Sequence, residues 1–117
     1  MIKLESDVEA HLYGAVKRLK GECIKLSAGE GFPDRLVVLP GGIIFFVETK
    51  RDDRGSKLSA LQKARISRLR RLGVRVHTPK TKASIDKLIS AEIRGGNTET
   101  IDDTAENMTE EDMADEV

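Results

Sequence analysis

Tryptophan is absent from the 117 residues, and cysteine occurs once, as Cys23. A single thiol excludes an internal disulfide and a Cys-rich zinc site, and it makes a reducing cytoplasm the expected compartment. Aromatics amount to three Phe and one Tyr, too few for a platform that stacks successive bases. The longest apolar run, Ile43 to Val47, falls far short of a membrane span. Lys3 is followed by no apolar stretch, so no secretory signal is expected. His11 and His77 have no partners at metal-ligand spacing and read as structural residues.

What the chain does have is charge, unevenly placed. Twenty Lys and Arg balance twenty Asp and Glu, for a formal net charge of zero. All twenty basic residues lie between Lys3 and Arg94 with eleven acidic ones, leaving that segment at +9. Residues 95–117 hold nine acidic residues and no basic one. The pattern divides the chain into a basic domain over 1–94 and an acidic tail over 95–117, expected to be disordered in isolation. A polyanion is the natural partner for the basic part.

Periodicity gives the order α-β-β-β-α-β-α. Val8, Leu12, Ala15, Val16 and Leu19 form one helical stripe over Ser6 to Lys20, with Ser6 and Glu9 spaced as a capping box. Cys23 to Ser27, Arg35 to Leu39, Ile43 to Lys50 and Val74 to Thr78 read as strands. Pro40-Gly41-Gly42 is a hairpin turn signal, and the unbroken Ile43-Ile44-Phe45-Phe46-Val47 run suggests a central strand covered on both faces. Asp52 to Lys57 is a polar loop. Ser59 to Leu72 is a helix with Ser59 and Gln62 as a second capping box, and Leu58, Leu61, Ile66, Leu69 and Leu72 as its apolar arc. Lys82 to Arg94 is the last helix. The resulting class is α/β, with a mixed sheet flanked by helices.

Chemistry concentrates at the ends of two of these strands. Asp34 opens one, and Glu48-Thr49-Lys50 closes the next. If Leu39 pairs with Ile43 around a three-residue turn, Asp34 falls directly opposite Glu48 on the same face, with Cβ atoms about 4.5–5.5 Å apart. A two-residue turn at Gly41-Gly42 would send the two carboxylates to opposite faces. Carboxylates that close call for a cation. Magnesium takes one or two carboxylates, keeps several waters and completes its shell with substrate phosphate. A nearby lysine such as Lys50 can hold an activated water or meet developing negative charge. Those are the parts that phosphodiester hydrolysis requires.

Pro33-Asp34 followed by Glu48-Thr49-Lys50 resembles the signature of PD-(D/E)xK nucleases. The framing is narrower still. Gly31-Phe32-Pro33-Asp34, Phe46-Val47-Glu48-Thr49-Lys50 and Leu58-Ser59-Ala60-Leu61-Gln62, ending at Leu72-Gly73-Val74, are similar to the VRR-Nuc (virus-type replication and repair nuclease) domain over residues 4 to about 78. The resemblance implies a restriction-endonuclease-like αβββαβ core with a central mixed four-stranded sheet flanked by helices. It implies that Asp34 and Glu48 ligate Mg²⁺ or Mn²⁺ with the main-chain carbonyl of Thr49, that Lys50 is the catalytic lysine, and that Gln62 stands beside it. An acidic residue of the first helix would reach the metal through water. Glu5 fits the family spacing Glu-x-x-Val-x-x-x-Leu, and Glu9 is the alternative. For Gln62 a purely capping role also stays open.

Lys63, Arg68, Arg70 and Arg71 are expected on a basic surface with Arg51, Arg54 and Lys57, where they would hold DNA phosphates. Arg65 either extends along the helix to solvent or joins them. The resemblance to stand-alone viral members implies a homodimer cutting branched DNA such as four-way junctions. A flap or nonspecific nuclease and a non-catalytic DNA-binding module are the alternatives. No membrane association and no small-molecule cofactor beyond the metal are expected.

Overall fold

The computed structural model describes residues 7–27, 29–49, 58–95 and 100–103. In chain order these form α1 (Asp7–Arg18), β1 (Glu22–Lys25), β2 (Arg35–Leu39), β3 (Ile43–Val47), α2 (Ala60–Arg71), β4 (Val76–His77) and α3 (Lys82–Arg94). The strands make one sheet in the order β1-β2-β3-β4. The first three are antiparallel neighbours, and β4 lies parallel to β3.

Strand alternation sorts the core into two layers. Val37, Leu39, Phe45 and Val47 point to one face, where Val8, Leu12 and Val16 of α1 and Ile85, Leu88 and Ile89 of α3 bury them. Phe46 and Val76 point to the other, under Leu58 and under Ile66 and Leu69 of α2. A hydrogen bond between His11 Nε2 and Asp86 Oδ1, 2.7 Å, ties α1 to α3 at the surface. His77 is fully buried, consistent with a structural part for both histidines.

Several expected features differ. The expected double cover of β3 fails at Ile44, which is 51% exposed, because α2 lies over Phe46 and reaches no further along the strand. Leu61 and Leu72 leave the arc assigned to α2 and are 55% and 64% exposed. That helix holds the sheet through Ile66 and the partly buried Leu69, with Leu58 just before it. β4 is shorter than expected because Val74 belongs to the end of α2. Gly73 N–H donates to Arg70 O and Val74 N–H to Leu69 O, the two bonds of a Schellman motif.

The tail does not leave the domain at residue 95 for good. Residues 100–103 return to the outer side of β4, where Thr78 and Asp102 form a parallel bridge. Thr78 N–H donates to Ile101 O at 2.8 Å, and Asp103 N–H donates to Thr78 O at 3.1 Å. Ile101, the tail's one branched aliphatic residue before Val117, packs against the larger core cluster. Composition averaged over the tail conceals so short an anchor.

Candidate active site

The β2–β3 hairpin decides where the acidic residues stand. Leu39 pairs with Ile43 and Arg35 with Val47, so the turn spans the three residues Pro40, Gly41 and Gly42. Both glycines have positive φ, 92° and 78°, which side chains resist. Extending this register by one step places Asp34 opposite Glu48. The backbones there are pinned as well. Asp34 O accepts from Leu26 N–H at 2.8 Å, and Glu48 N–H donates to His77 O at 2.9 Å.

Glu48 is 5% exposed, and both of its carboxylate oxygens receive hydrogen bonds. Asp34 N–H donates to Oε1 at 3.1 Å, and Gln62 Nε2 donates to Oε2 at 3.0 Å. Gln62 meanwhile completes the capping box of α2: its Oε1 accepts from Ser59 N–H at 2.9 Å, while Ser59 Oγ accepts from Gln62 N–H at 3.1 Å. The cap is therefore not the whole part of Gln62: its amide oxygen serves the cap and its amide nitrogen donates to Glu48, while its expected place beside Lys50 falls outside the described residues. The start of α2 is brought there by Gly31. A Cβ at that residue would lie 2.7 Å from the carbonyl carbon and oxygen of Leu61. Phe32 meets Phe46 edge-on, centroids 5.5 Å apart, closing the loop over the sheet.

Asp34 Oδ1 is shut off from solvent beside this buried partner. The donor set is all oxygen, which suits a hard divalent ion such as Mg²⁺ or Mn²⁺ better than a soft one. Among the described residues no three His, Cys, Asp or Glu side chains cluster as a self-sufficient metal cage. Two carboxylates with open coordination positions are what a metal shared with substrate phosphate needs.

Lys50 and Glu5 lie outside the described residues, as do Arg51, Arg54 and Lys57. Glu9 is described and is buried in an ion pair, its Oε2 2.7 Å from Arg35 Nη2 and 3.2 Å from Nε. Arg35 follows Asp34 as the first residue of β2 and points to the opposite face, so the pair clamps α1 under the end of the sheet where Asp34 and Glu48 stand.

The basic residues separate into two groups. Arg68 and Arg71 are exposed, and Lys63 is half-buried on the same helix. Arg65 lies against the loop before Asp34, donating to Glu30 O at 3.4 Å with the Glu30 carboxylate 3.9 Å away. Arg70 departs from the expected surface. It turns inward to Val76 O at 2.7 Å and to Asp102 at 2.8 Å, because the returning tail offers it a carboxylate.

A second polar network lies deeper. His77 Nε2 is 2.7 Å from Glu92 Oε2, Arg75 Nε donates to both oxygens of Glu92, and Ile101 N–H donates to His77 Nδ1. Burial pushes the His77 imidazole below its ordinary range, with Glu92 pulling it back upward. Burial also pushes the Cys23 thiol up to about 11, which leaves it unreactive at neutral pH.

A four-stranded mixed sheet between helices, with opposed acids at the ends of adjacent antiparallel strands, defines a PD-(D/E)xK-type nuclease fold. No family model matches the chain. A curated relative from Acyrthosiphon pisum secondary endosymbiont phage 1, bearing the name "Putative nuclease p44", is 42% identical over 74 residues, which are 62% of this chain and 77% of the relative. A solved structure described as a VRR_NUC domain superposes with a TM-score of 0.64 at 35% identity, covering 71% of this chain and 90% of its own. The chain belongs to the VRR-Nuc family of nucleases. No helix among the described residues is long and apolar enough to cross a membrane.

Proposed function

We propose that this protein is a metal-dependent DNA endonuclease of the cytoplasm, acting on branched DNA as a homodimer. The observation that carries the nuclease reading is the Asp34–Glu48 pair, opposed by the hairpin register and braced by Gln62.

In this reading Asp34, Glu48 and the Thr49 carbonyl hold Mg²⁺ or Mn²⁺. The bound ion supplies Lewis acidity and an ionisable water. Gln62 and the Asp34 amide fix the Glu48 carboxylate in one orientation, so that little reorganisation is needed when phosphate arrives. Lys50 positions the attacking water and meets the charge that develops on the phosphate. Glu5 or Glu9 assists through water. Lys63, Arg65, Arg68 and Arg71, with Arg51, Arg54 and Lys57, hold the backbone. With only the Phe32–Phe46 pair beside the site and no evident recognition helix among the described residues, binding follows backbone and shape more than sequence. A twofold dimer would present two such sites to opposite strands.

The test is cleavage of labelled four-way junction, flap and linear duplex DNA with Mg²⁺, Mn²⁺ or EDTA, beside Lys50→Ala. Metal-dependent cutting that the substitution abolishes is expected, with paired symmetric cuts in the junction. Binding without cutting in either metal would replace this reading by a non-catalytic DNA-binding module.

A further inference from the structure

We infer that the acidic residues 104–117 are a tethered polyanion that competes with DNA for the basic surface beside the nuclease centre. The inference rests on the nucleic-acid reading above. Its structural basis is where the returning segment delivers the chain. Val47 pairs with His77, which puts Glu48 and Thr78 in the next row of the sheet, and Thr78 pairs with Asp102. Asp34, Glu48, Thr78 and Asp102 therefore stand side by side in one row. Adjacent strands are about 4.8 Å apart, so Asp102 lies two spacings, roughly 10 Å, from Glu48.

Direction matters as much as distance. The Thr78–Asp102 bridge is parallel, as is the pairing of β4 with β3. Residues 100–103 thus run the same way as β3 and point the following chain toward the end of the sheet where Asp34 and Glu48 stand. The exit is held firmly. Arg70 pairs with Asp102 at 2.8 Å, Lys80 N–H donates to Asp103 at 2.8 Å, and Ile101 N–H donates to His77 at 2.9 Å. Thr78 Oγ1 donates to Asp102 as well.

The fourteen residues beyond this anchor carry six acidic side chains and no basic one. Fully extended they reach at most about 46–50 Å, against domain dimensions of 38 × 33 × 25 Å. Every basic residue of α2 is within that reach. A segment tethered so close acts at an effective concentration on the order of millimolar. Its carboxylates would engage the same Lys and Arg side chains as a phosphate backbone, with the same sensitivity to salt.

The experiment compares binding of fluorescent junction and duplex DNA, in EDTA, by three proteins: the full chain, a chain ending at Asp103, and a full-length variant. That variant carries Glu106→Gln, Glu110→Gln, Glu111→Gln, Asp112→Asn, Asp115→Asn and Glu116→Gln. The shortened chain keeps every contact of the anchor. Both altered proteins are expected to bind about three- to tenfold more tightly than the full chain near 50 mM salt, the gap closing at several hundred millimolar. Equal affinity of all three at low salt would overturn the competition and leave residues 100–103 as a cover for the sheet edge. A neutralised variant that binds as weakly as the full chain would overturn the electrostatic mechanism. DNA binding by none of the three would overturn the nucleic-acid reading together with this inference.

Discussion

Asp34 and Glu48 are joined by more than their opposition across the hairpin: the backbone N–H of Asp34 donates to Oε1 of Glu48 at 3.1 Å. One acidic residue thereby orients the other, and Gln62 takes the remaining carboxylate oxygen. Glu48 is held in place before any cation or phosphate arrives.

Gln62→Ala should lower cleavage about 10- to 100-fold, the usual cost of removing a partner that orients a metal ligand, which is the part proposed for Glu48. It should also weaken α2 by about 1 kcal/mol through loss of the capping box. Ser59→Ala separates the two effects, since it removes the cap acceptor and leaves the Gln62–Glu48 bond. Thermal melts of the two variants should be similar while their metal titrations of cleavage differ. Equal loss of cleavage in both would mean that Gln62 acts only through the helix.

Gly31 sits at φ 75° with α2 backbone where a Cβ would go. Gly31→Ala is expected to cost about 1–2 kcal/mol for the left-handed backbone, and to push the first turn of α2 away from the sheet. Gly29, at φ 72°, has nothing among the described residues where a Cβ would go and is the control. Denaturant midpoints should fall in both variants, but cleavage per folded molecule should fall only in Gly31→Ala.

Removing one member of the buried Glu9–Arg35 pair leaves an uncompensated charge in the core. Glu9→Ala or Arg35→Ala should each destabilise the fold by about 3–5 kcal/mol, with much of that recovered in a Glu9→Leu, Arg35→Met double variant. Cleavage by folded Glu9→Gln should stay near that of the parent. A large loss there, without a matching loss of stability, would give Glu9 the water-mediated metal role and set Glu5 aside.

His77 makes stability depend on pH. Its Nδ1 accepts from Ile101 N–H, so the neutral ring carries its proton on Nε2, toward Glu92. Burial holds the folded imidazole below its ordinary value of 6.5. Between that depressed value and 6.5 the unfolded chain binds the extra proton, so stability rises with pH across the window. It is fully present above 6.5 and lost as pH falls through the folded value. Melting temperatures from pH 7.5 to 5 should drop in the parent and change less in His77→Gln. Protection of the Ile101 amide, taken against the intrinsic exchange rate at each pH, should fall on acidification, because a doubly protonated ring cannot accept its bond.

Local signals made much of this legible in the sequence. β2 and α3 run over the residues that alternation and helical spacing indicate, the Ser59–Gln62 box forms both of its bonds, and the three-residue turn sets the register that opposes Asp34 to Glu48. What escaped is long-range. Arg35 and Glu9 are 26 positions apart, and neither declares a buried partner. His77 and Glu92 meet only because α3 folds back over β4. Arg70 looked like one more surface cation until Asp102, 32 positions on, came to meet it. Ile101 marked the anchor, but a single isoleucine among polar residues carries no periodicity.

The hairpin turn imposes a parity rule on this protein's lineage. One residue gained or lost between Leu39 and Ile43, with the strands kept in contact, moves one of the two acids to the far side of the sheet, whereas a change of two can leave the acids facing one another. Functional homologues should therefore vary in this connection by even steps. A copy with an odd change, uncompensated by a bulge, should be a relic that folds without cutting.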